Sequence, residues 1–305
     1  MDLRQLTYLV AVAEESSFTK AAARCQIVQS AMSAQIARLE DELSTRLFDR
    51  TSRSVRLTPA GEILLPHAYA LLRAAGTAQA EIAAYTGILS GRLRIGMVGG
   101  AVGPGVQIEE ALLAFHERHP DVEILVEDTG SRQMADSVRS GELDLALVSL
   151  YADQVGDGLS HRLLLDEPLV PVVSRGHVLA DRTSVTLAEL AAAGPFIDRP
   201  KMVGARLQVD EAFARAGVER TVAFEFSAPQ AVERFASLGL GIAMVPAHAA
   251  EQADHLVTLT LNDCRMGHPI ALIHAAPEPP TPSARAFVSL LPPATADLAP
   301  PDHRA

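Results

Sequence analysis

Residues 18–38 read FTKAAARCQIVQSAMSAQIAR, and the spacing describes two short helices joined by a tight turn. In the second, Met32, Ile36, Leu39 and Leu43 recur at intervals of 4, 3 and 4, which is one buried stripe. Ser30, Ser33, Ala34 and Ala37 lie away from that stripe, with Gln29 at the N-terminal end. Short side chains let a helix enter a DNA major groove without collision, and Gln and Ser can hydrogen-bond base edges or phosphates. The first helix begins near Thr19, a suitable cap, and runs through Ala21, Ala22 and Ala23, which allow a neighbour to approach closely. The turn, Gln26-Ile27-Val28, lacks the glycine frequent in such turns. An ordinary three-helix bundle with a small-residue face fits the same pattern, so the flanks must decide.

Upstream, residues 2–15 form a helix whose buried face is Leu3, Leu6, Val10 and Ala13, ended by Ser16-Ser17. Downstream comes LFDRTSRSVRLT, residues 47–58, where Val55 and Leu57 alternate with polar residues as in a strand closing a short hairpin. Arg50 and Arg53 fall at its tip. A basic hairpin after two such helices describes a winged helix-turn-helix, with arginines placed for phosphates or the minor groove; a solvated basic turn is the bland alternative. Thr58-Pro59 then starts a long helix reaching about Leu89. Leu64, Ala68, Leu71, Ala75, Ala78, Ile82 and Tyr85 hold a heptad seam along it. So narrow a seam predicts a partner helix, most simply a second copy, the alternative being packing on its own domain. Pro66 is expected to bend its first turns.

The net charge of −11 argues at first against nucleic acid. Its distribution reverses that. Residues 1–58 hold 8 of the 26 basic and 7 of the 37 acidic residues, so the remaining 18 basic and 30 acidic residues carry all the net acidity. A local basic patch is what phosphate binding requires. Two distant cysteines, Cys25 and Cys264, suit a reducing cytoplasm rather than a disulfide framework. MDLRQLTYLV is too short in its apolar run for a signal peptide, and no stretch approaches 18 uninterrupted apolar residues, so a cytoplasmic protein without a membrane partner is expected.

Beyond Ser90-Gly91, strands and helices alternate. Strands are expected at 93–98, 124–127, 143–149, 167–174 (after an extended stretch at 161–166), 196–197, 222–226, 241–245, 255–261 and 270–274. Helices are expected at 106–116, 131–140, 203–216, 229–238 and 282–291. This rhythm predicts an α/β domain of two lobes with mainly parallel sheets. The expected division is 1–58 winged helix-turn-helix (helix-turn-helix about 18–37), 59–89 linker and dimerisation helix, 90–292 regulatory domain, and 293–305 a Pro/Ala-rich disordered tail.

These motifs together resemble the LysR-type transcriptional regulators. The resemblance runs through Q-S-A-x-S-x-Q-I-x-x-L-E at 29–40, L-F-x-R at 47–50 and L-T-x-A-G at 57–61. It continues in GRLRIG at 91–96, GELDLALV at 141–148 and GLGIAMVP at 239–246. It implies a DNA-binding winged helix-turn-helix, a dimerising linker helix and a two-lobed regulatory domain like a type 2 periplasmic binding protein. It further implies a homodimer or a tetramer built as a dimer of dimers, regulating transcription in response to a small-molecule effector, with autoregulation expected and RNA polymerase as partner if the protein activates. By position it puts Gln29, Ser30, Ser33, Arg50 and Arg53 on double-stranded DNA. Ala34 and Ser54 depart from it, standing where many members carry a basic residue.

An effector would sit between the lobes, near strand ends and helix N-termini. The candidate contacts are Gly99, Gly100, Thr129, Ser131, Arg199, Lys201, Ser227 and Pro246. Arg199 and Lys201 suit a carboxylate, or are simply solvated; Ser131 either caps its helix or meets the ligand. GGAVGPG, residues 99–105, lacks the Gly-Lys-Ser/Thr ending of a nucleotide loop. The histidines show no metal spacing, and no nucleophile–base pair is visible, so neither catalysis nor a cofactor is expected. A transport binding protein would need an export signal where the helix-turn-helix stands. Cys264 has no cysteine partner in its own domain, which argues against an intramolecular disulfide switch.

Overall fold

A computed structural model describes residues 1–50, 55–85, 89–101, 105–201 and 204–293. The chain starts with α1, Leu3–Glu15, capped by Asp2. The Asp2 carboxylate accepts from the Gln5 N–H at 2.8 Å, and the Gln5 side chain accepts from the Asp2 N–H at 2.9 Å. The helix is packed against several neighbouring elements, so its buried set is wider than a single stripe. Leu6, Leu9, Val10 and Val12 are buried, whereas Leu3, expected inside, is 49% exposed. Helix α2, Phe18–Arg24, starts from Ser17 rather than Thr19, because Phe18 is itself buried, edge-on to Phe48 with centroids 5.8 Å apart. Gln26 takes the left-handed backbone (φ 55°) that a glycine would otherwise supply to the turn. Helix α3, Gln29–Glu42, buries Met32, Ile36 and Leu39; Leu43 lies past its end and is exposed.

Strands β1 (Phe48–Arg50) and β2 (Val55–Leu57) pair antiparallel, Phe48 opposite Leu57 and Arg50 opposite Val55. Glu40 fixes this hairpin to α3 by accepting from the Leu47 and Phe48 N–H groups at 2.8 and 3.2 Å. The hairpin tip, with Arg53, lies outside the described residues. Helix α4, Pro59–Tyr85, opens on Thr58, whose Oγ1 accepts from the Gly61 N–H at 3.1 Å and donates to the Arg46 carbonyl at 2.7 Å. It continues through Pro66. Leu64 and Ala68 enter the N-terminal core, but farther along the seam Leu71, Ile82 and Tyr85 are exposed. Another face of α4 packs on the C-terminal part, with Glu81 paired to Arg285 at 3.3 Å.

The C-terminal part follows as β3 (Gly91–Met97), a 3-10 turn (Gly99–Ala101), α5 (Ile108–Arg118), β4 (Val122–Glu127), α6 (Ser131–Ser140), β5 (Leu145–Val148) and α7 (Ala152–Val155). Next come β6 (Leu159–Ser174), β7 (Ser184–Val185), α8 (Leu187–Ala193), β8 (Phe196–Asp198), α9 (Gly204–Arg215), β9 (Val222–Glu225) and α10 (Pro229–Ser237). The chain ends in β10 (Ala243–Pro246), α11 (Ala247–Glu251), β11 (Leu256–Thr258), β12 (Thr260–Leu261), β13 (Gly267–Ala275) and α12 (Pro282–Val288). The main sheet runs β10-β6-β13-β5-β3-β4, with β11 also on β6.

Strand β6 decides the layout. Its first part pairs with β13, from Leu159 opposite Ala275 to Pro168 opposite Gly267. Its last part pairs with β10, Leu169 opposite Pro246, and with β11, Ser174 opposite Leu256. One strand therefore belongs to both lobes. The expectation of mainly parallel sheets holds only in part: β3 is parallel to β4 and β5, β8 to β9 and β7 to β12, but β13, β6, β10 and β11 join by antiparallel pairs. Strands passing between lobes and back must run in opposite directions. The first lobe closes over Leu93, Ile95, Phe115, Leu145, Leu147 and Phe287. The second closes over Leu169, Val173, Phe196, Phe213 and Ile242 on one side and Val172, Ile197, Val232 and Val245 on the other.

A Cβ at Gly61 would collide with the Leu47 carbonyl oxygen, whereas one at Gly76 would meet nothing within 4 Å. Gly61→Ala is expected to lower stability by about 1–3 kcal/mol through overpacking of α4 against the hairpin. Gly76→Ala is expected to raise it by about 0.5–1 kcal/mol through helix propensity. Urea unfolding of the two variants, followed by circular dichroism, checks the opposite signs.

Candidate nucleic-acid interface and interlobe cleft

On α3, Gln29 and Ser30 are exposed, Ser33 is half-buried and Ala34 is exposed. The Gln29 amide donates to Ser33 Oγ at 3.0 Å, so these two predicted contact residues meet across one helical turn. Val28 stands at the N-cap, 67% exposed and without a side-chain cap bond. The first-turn N–H groups of α3 thus keep no side-chain acceptor, and the Val28 methyls face outward. Free N–H groups suit a phosphate and methyls suit a thymine methyl. The sequence reading assigned Val28 to the turn, whereas the structure makes it the N-cap of α3. Arg50 lies in β1; Arg53 is outside the described residues. Arg38, Arg46 and Arg56 are exposed on α3, the following loop and β2.

The predicted effector residues come from both lobes. In the first, Gly99 and Gly100 form the turn after β3, and Thr129 is exposed between β4 and α6. Ser131 is 1% exposed. It is not the helix cap, a place taken by Gly130 with no side chain to offer. Instead Ser131 Oγ accepts from the Ser149 N–H at 3.0 Å and ties the start of α6 to the end of β5. Ser149 Oγ is itself buried without a hydrogen-bond partner.

In the second lobe, Arg199 follows β8, half-buried. Its N–H donates to Asp198 Oδ1 at 2.8 Å and its carbonyl accepts from Arg206 Nη1 at 3.0 Å, so the backbone is held on both sides. Burial lowers the Arg199 guanidinium pKa, against opposing fields from Asp128 and Asp198. Lys201 and Ser227 are exposed, and Pro246 ends β10 and caps α11. All these positions lie at carboxyl ends of strands or helix starts, where open α/β sheets accept ligands. The lobes touch where Gln154 of α7 donates to Glu211 of α9 at 3.0 Å and accepts from Gln208 at 3.0 Å.

Two clusters escaped the sequence reading because their members are far apart in the chain. Asp198 is buried between Arg220 Nη1 at 2.6 Å and Arg206 Nε at 3.4 Å, while Arg220 also lies 5.0 Å over the Phe196 ring. Glu167 of β6 meets His248 Nδ1 of α11 at 2.7 Å, and His268 Nδ1 of β13 comes within 3.6 Å. Among the described residues no group of three or more His, Cys, Asp or Glu side chains is arranged to hold a metal. No described helix is long and apolar enough to cross a membrane.

Burial pushes the Glu167 carboxyl up, but the imidazoles of His268 and His248 beside it outweigh that and hold its pKa below the ordinary value. A carboxylate depressed in the folded state adds stability that is present above its unfolded pKa and lost as pH falls through the folded one. Glu167→Gln should therefore flatten the fall in melting temperature on acidification through the carboxylate range, measured by calorimetry at stepped pH.

Two family models match the chain. The bacterial regulatory helix-turn-helix protein model of the lysR family covers residues 3–62, and the LysR substrate binding domain model covers residues 86–295. Over 250 residues the chain is 34% identical to the HTH-type transcriptional regulator YnfL of Escherichia coli, covering 81% of this chain and 82% of that protein. Over 253 residues it is 30% identical to the DNA-binding transcriptional dual regulator OxyR of Escherichia coli, covering 82% and 80%. A full-length OxyR variant of Pseudomonas aeruginosa superposes with a TM-score of 0.72 at 25% identity, covering 95% of this chain and 93% of that one. With a helix-turn-helix at one end and an effector-binding domain of two lobes at the other, the chain belongs to the LysR family of DNA-binding transcriptional regulators.

Proposed function

We propose that residues 1–58 bind operator DNA through Gln29, Ser30 and Ser33 of α3, with Arg50 and Arg53 of the hairpin on phosphates or in the minor groove. Residues 59–89 join two copies and residues 90–292 receive the effector; the expected tail falls, past residue 293, outside the described residues. The observation that carries this is the polar, small-residue face of α3 beside a hairpin held to it by Glu40. The setting is cytoplasmic, the assembly is a homodimer or homotetramer, and RNA polymerase is a partner if the protein activates. Autoregulation belongs to the same proposal. The effector occupies the interlobe cleft at Gly99, Gly100, Thr129, Ser131, Arg199, Lys201, Ser227 and Pro246, with a carboxylate among its groups.

A disulfide-based peroxide response is not part of it. The chain's two cysteines sit in different domains, and burial pushes both thiols up, Cys264 to about 11. Peroxide-reactive cysteines need the opposite, a thiolate at neutral pH.

Footprinting on the DNA upstream of its own gene should protect a site with partial dyad symmetry; failure to protect one there overturns autoregulation, and failure across a genome-wide pull-down overturns specific DNA binding. On the protected site, Arg53→Ala should weaken binding and reduce the salt slope by about one unit; an unchanged slope takes Arg53 off the phosphates. Leu71→Asp, placed on the exposed part of the α4 seam, should give a monomer in analytical ultracentrifugation.

A further inference from the structure

Two opposite charges, one from each lobe, lie near one another without forming an ion pair among the described residues. Asp128 follows β4 in the first lobe and is exposed. Its Oδ2 would lie 3.8 Å from a Cβ built on Gly99, which puts the carboxylate beside the turn after β3. Among the described residues it has no ion pair. Arg199 follows β8 in the second lobe, and its Nε is buried with no acceptor. The nearest acid in sequence, Asp198, is already engaged by Arg220 at 2.6 Å and Arg206 at 3.4 Å, and of Arg199 it takes only the backbone N–H. Arg199 therefore stands as a cation with a fixed backbone and a free guanidinium edge. Asp128 and Arg199 are close enough for the field of one to act on the other, yet they form no ion pair.

We infer that the effector is a small amphoteric molecule of the amino-acid class, its carboxylate meeting Arg199 and its ammonium meeting Asp128. This rests on the cleft being the effector site, and it deepens that reading. A plain carboxylate satisfies Arg199 but brings its charge against Asp128, and a plain amine has the converse defect. A zwitterion satisfies both and bridges the lobes, because one charge comes from each. Arginine presents a planar fork that suits a carboxylate, while Asp128 accepts only from a donor. Nearby hydroxyls fit such a polar ligand. Thr129 is exposed beside Asp128, and the unpartnered Ser149 Oγ lies next to the start of α6. A ligand that contacts both lobes favours their closed arrangement by its differential affinity for it.

The test uses the full-length protein and matched probes: the common α-amino acids with β-alanine and γ-aminobutyrate, their deaminated carboxylates, and their decarboxylated amines. Thermal shift finds a ligand and calorimetry measures its affinity. At least one amino acid should bind at least tenfold more tightly than its matched carboxylate and amine. Asp128→Asn should remove that preference while leaving the matched carboxylate as tight as before or tighter. Arg199→Gln should weaken the amino acid and the carboxylate together. A carboxylate that binds as well as its amino acid, with Arg199 required and Asp128 dispensable, overturns the zwitterion and leaves the effector cleft standing. Amino-acid binding unaffected by either variant moves the ligand out of the cleft and overturns both. No binding by any amino acid overturns the ligand class, while operator footprinting still reports separately on the DNA-binding function.

Discussion

The double pairing of β6 is the constraint on which the regulatory domain depends. Its first part pairs with β13, with a register shift at Leu164, and its last six residues pair with β10 and β11, so a single covalent strand belongs to both lobes. Each lobe owns a separate apolar core. The lobes are therefore stable bodies joined by strands, and relative motion must concentrate where β6 and β13 pass between them. Glu167 and His268 face each other in register at that passage, with His248 closing over Glu167 from α11. These polar contacts sit where the two bodies share backbone, while the cores that define each body lie to either side.

A second constraint is the set of carboxylates and hydroxyls that holds the N-terminal unit together. Glu40 binds two backbone N–H groups of the hairpin, and Thr58 binds both Arg46 and Gly61. The recognition helix, the hairpin and the start of α4 consequently move as one. Small size at Gly61 is part of the same arrangement, because the helix start lies directly on the Leu47 carbonyl. Orientation of α3 is then set by where α4 points, and α4 itself leaves Leu71, Ile82 and Tyr85 exposed.

Legibility followed the range of the interactions. The helix-turn-helix was readable because caps and periodic stripes act within a few residues, and Met32, Ile36 and Leu39 occupy the places their spacing predicted. The errors there are short displacements: Ser17 caps in place of Thr19, and Leu3 is exposed while Leu9 is buried because several elements surround α1. Strand β6 read as an extended stretch at 161–166 followed by a strand at 167–174, where the structure has one strand from Leu159 to Ser174. Its antiparallel neighbours were not legible at all, because topology has no local signature. Ser131 was found by type and position, but its role as a link to Ser149 needed the fold. Asp128 and the Glu167–His248 pair, 81 residues apart, carried no motif.

The placement of α6 connects these two constraints. Its first residue, Ser131, is bound to the end of β5 at the cleft, and its C-cap, Gly141, lies under the Arg73 guanidinium of α4. One turn earlier on α4, the Tyr69 hydroxyl donates to Glu14 of α1 at 2.8 Å, and Glu14 also pairs with Arg24 of α2. Gly141 has a positive φ of 85°, so a side chain there is strained as well as crowded. A ten-residue helix thus has one end tied to the end of β5 and the other packed against α4. Packed contacts of this kind do not stretch continuously. A displacement of α6 along its axis would therefore bear on Arg73, on the helix that leads into the N-terminal unit.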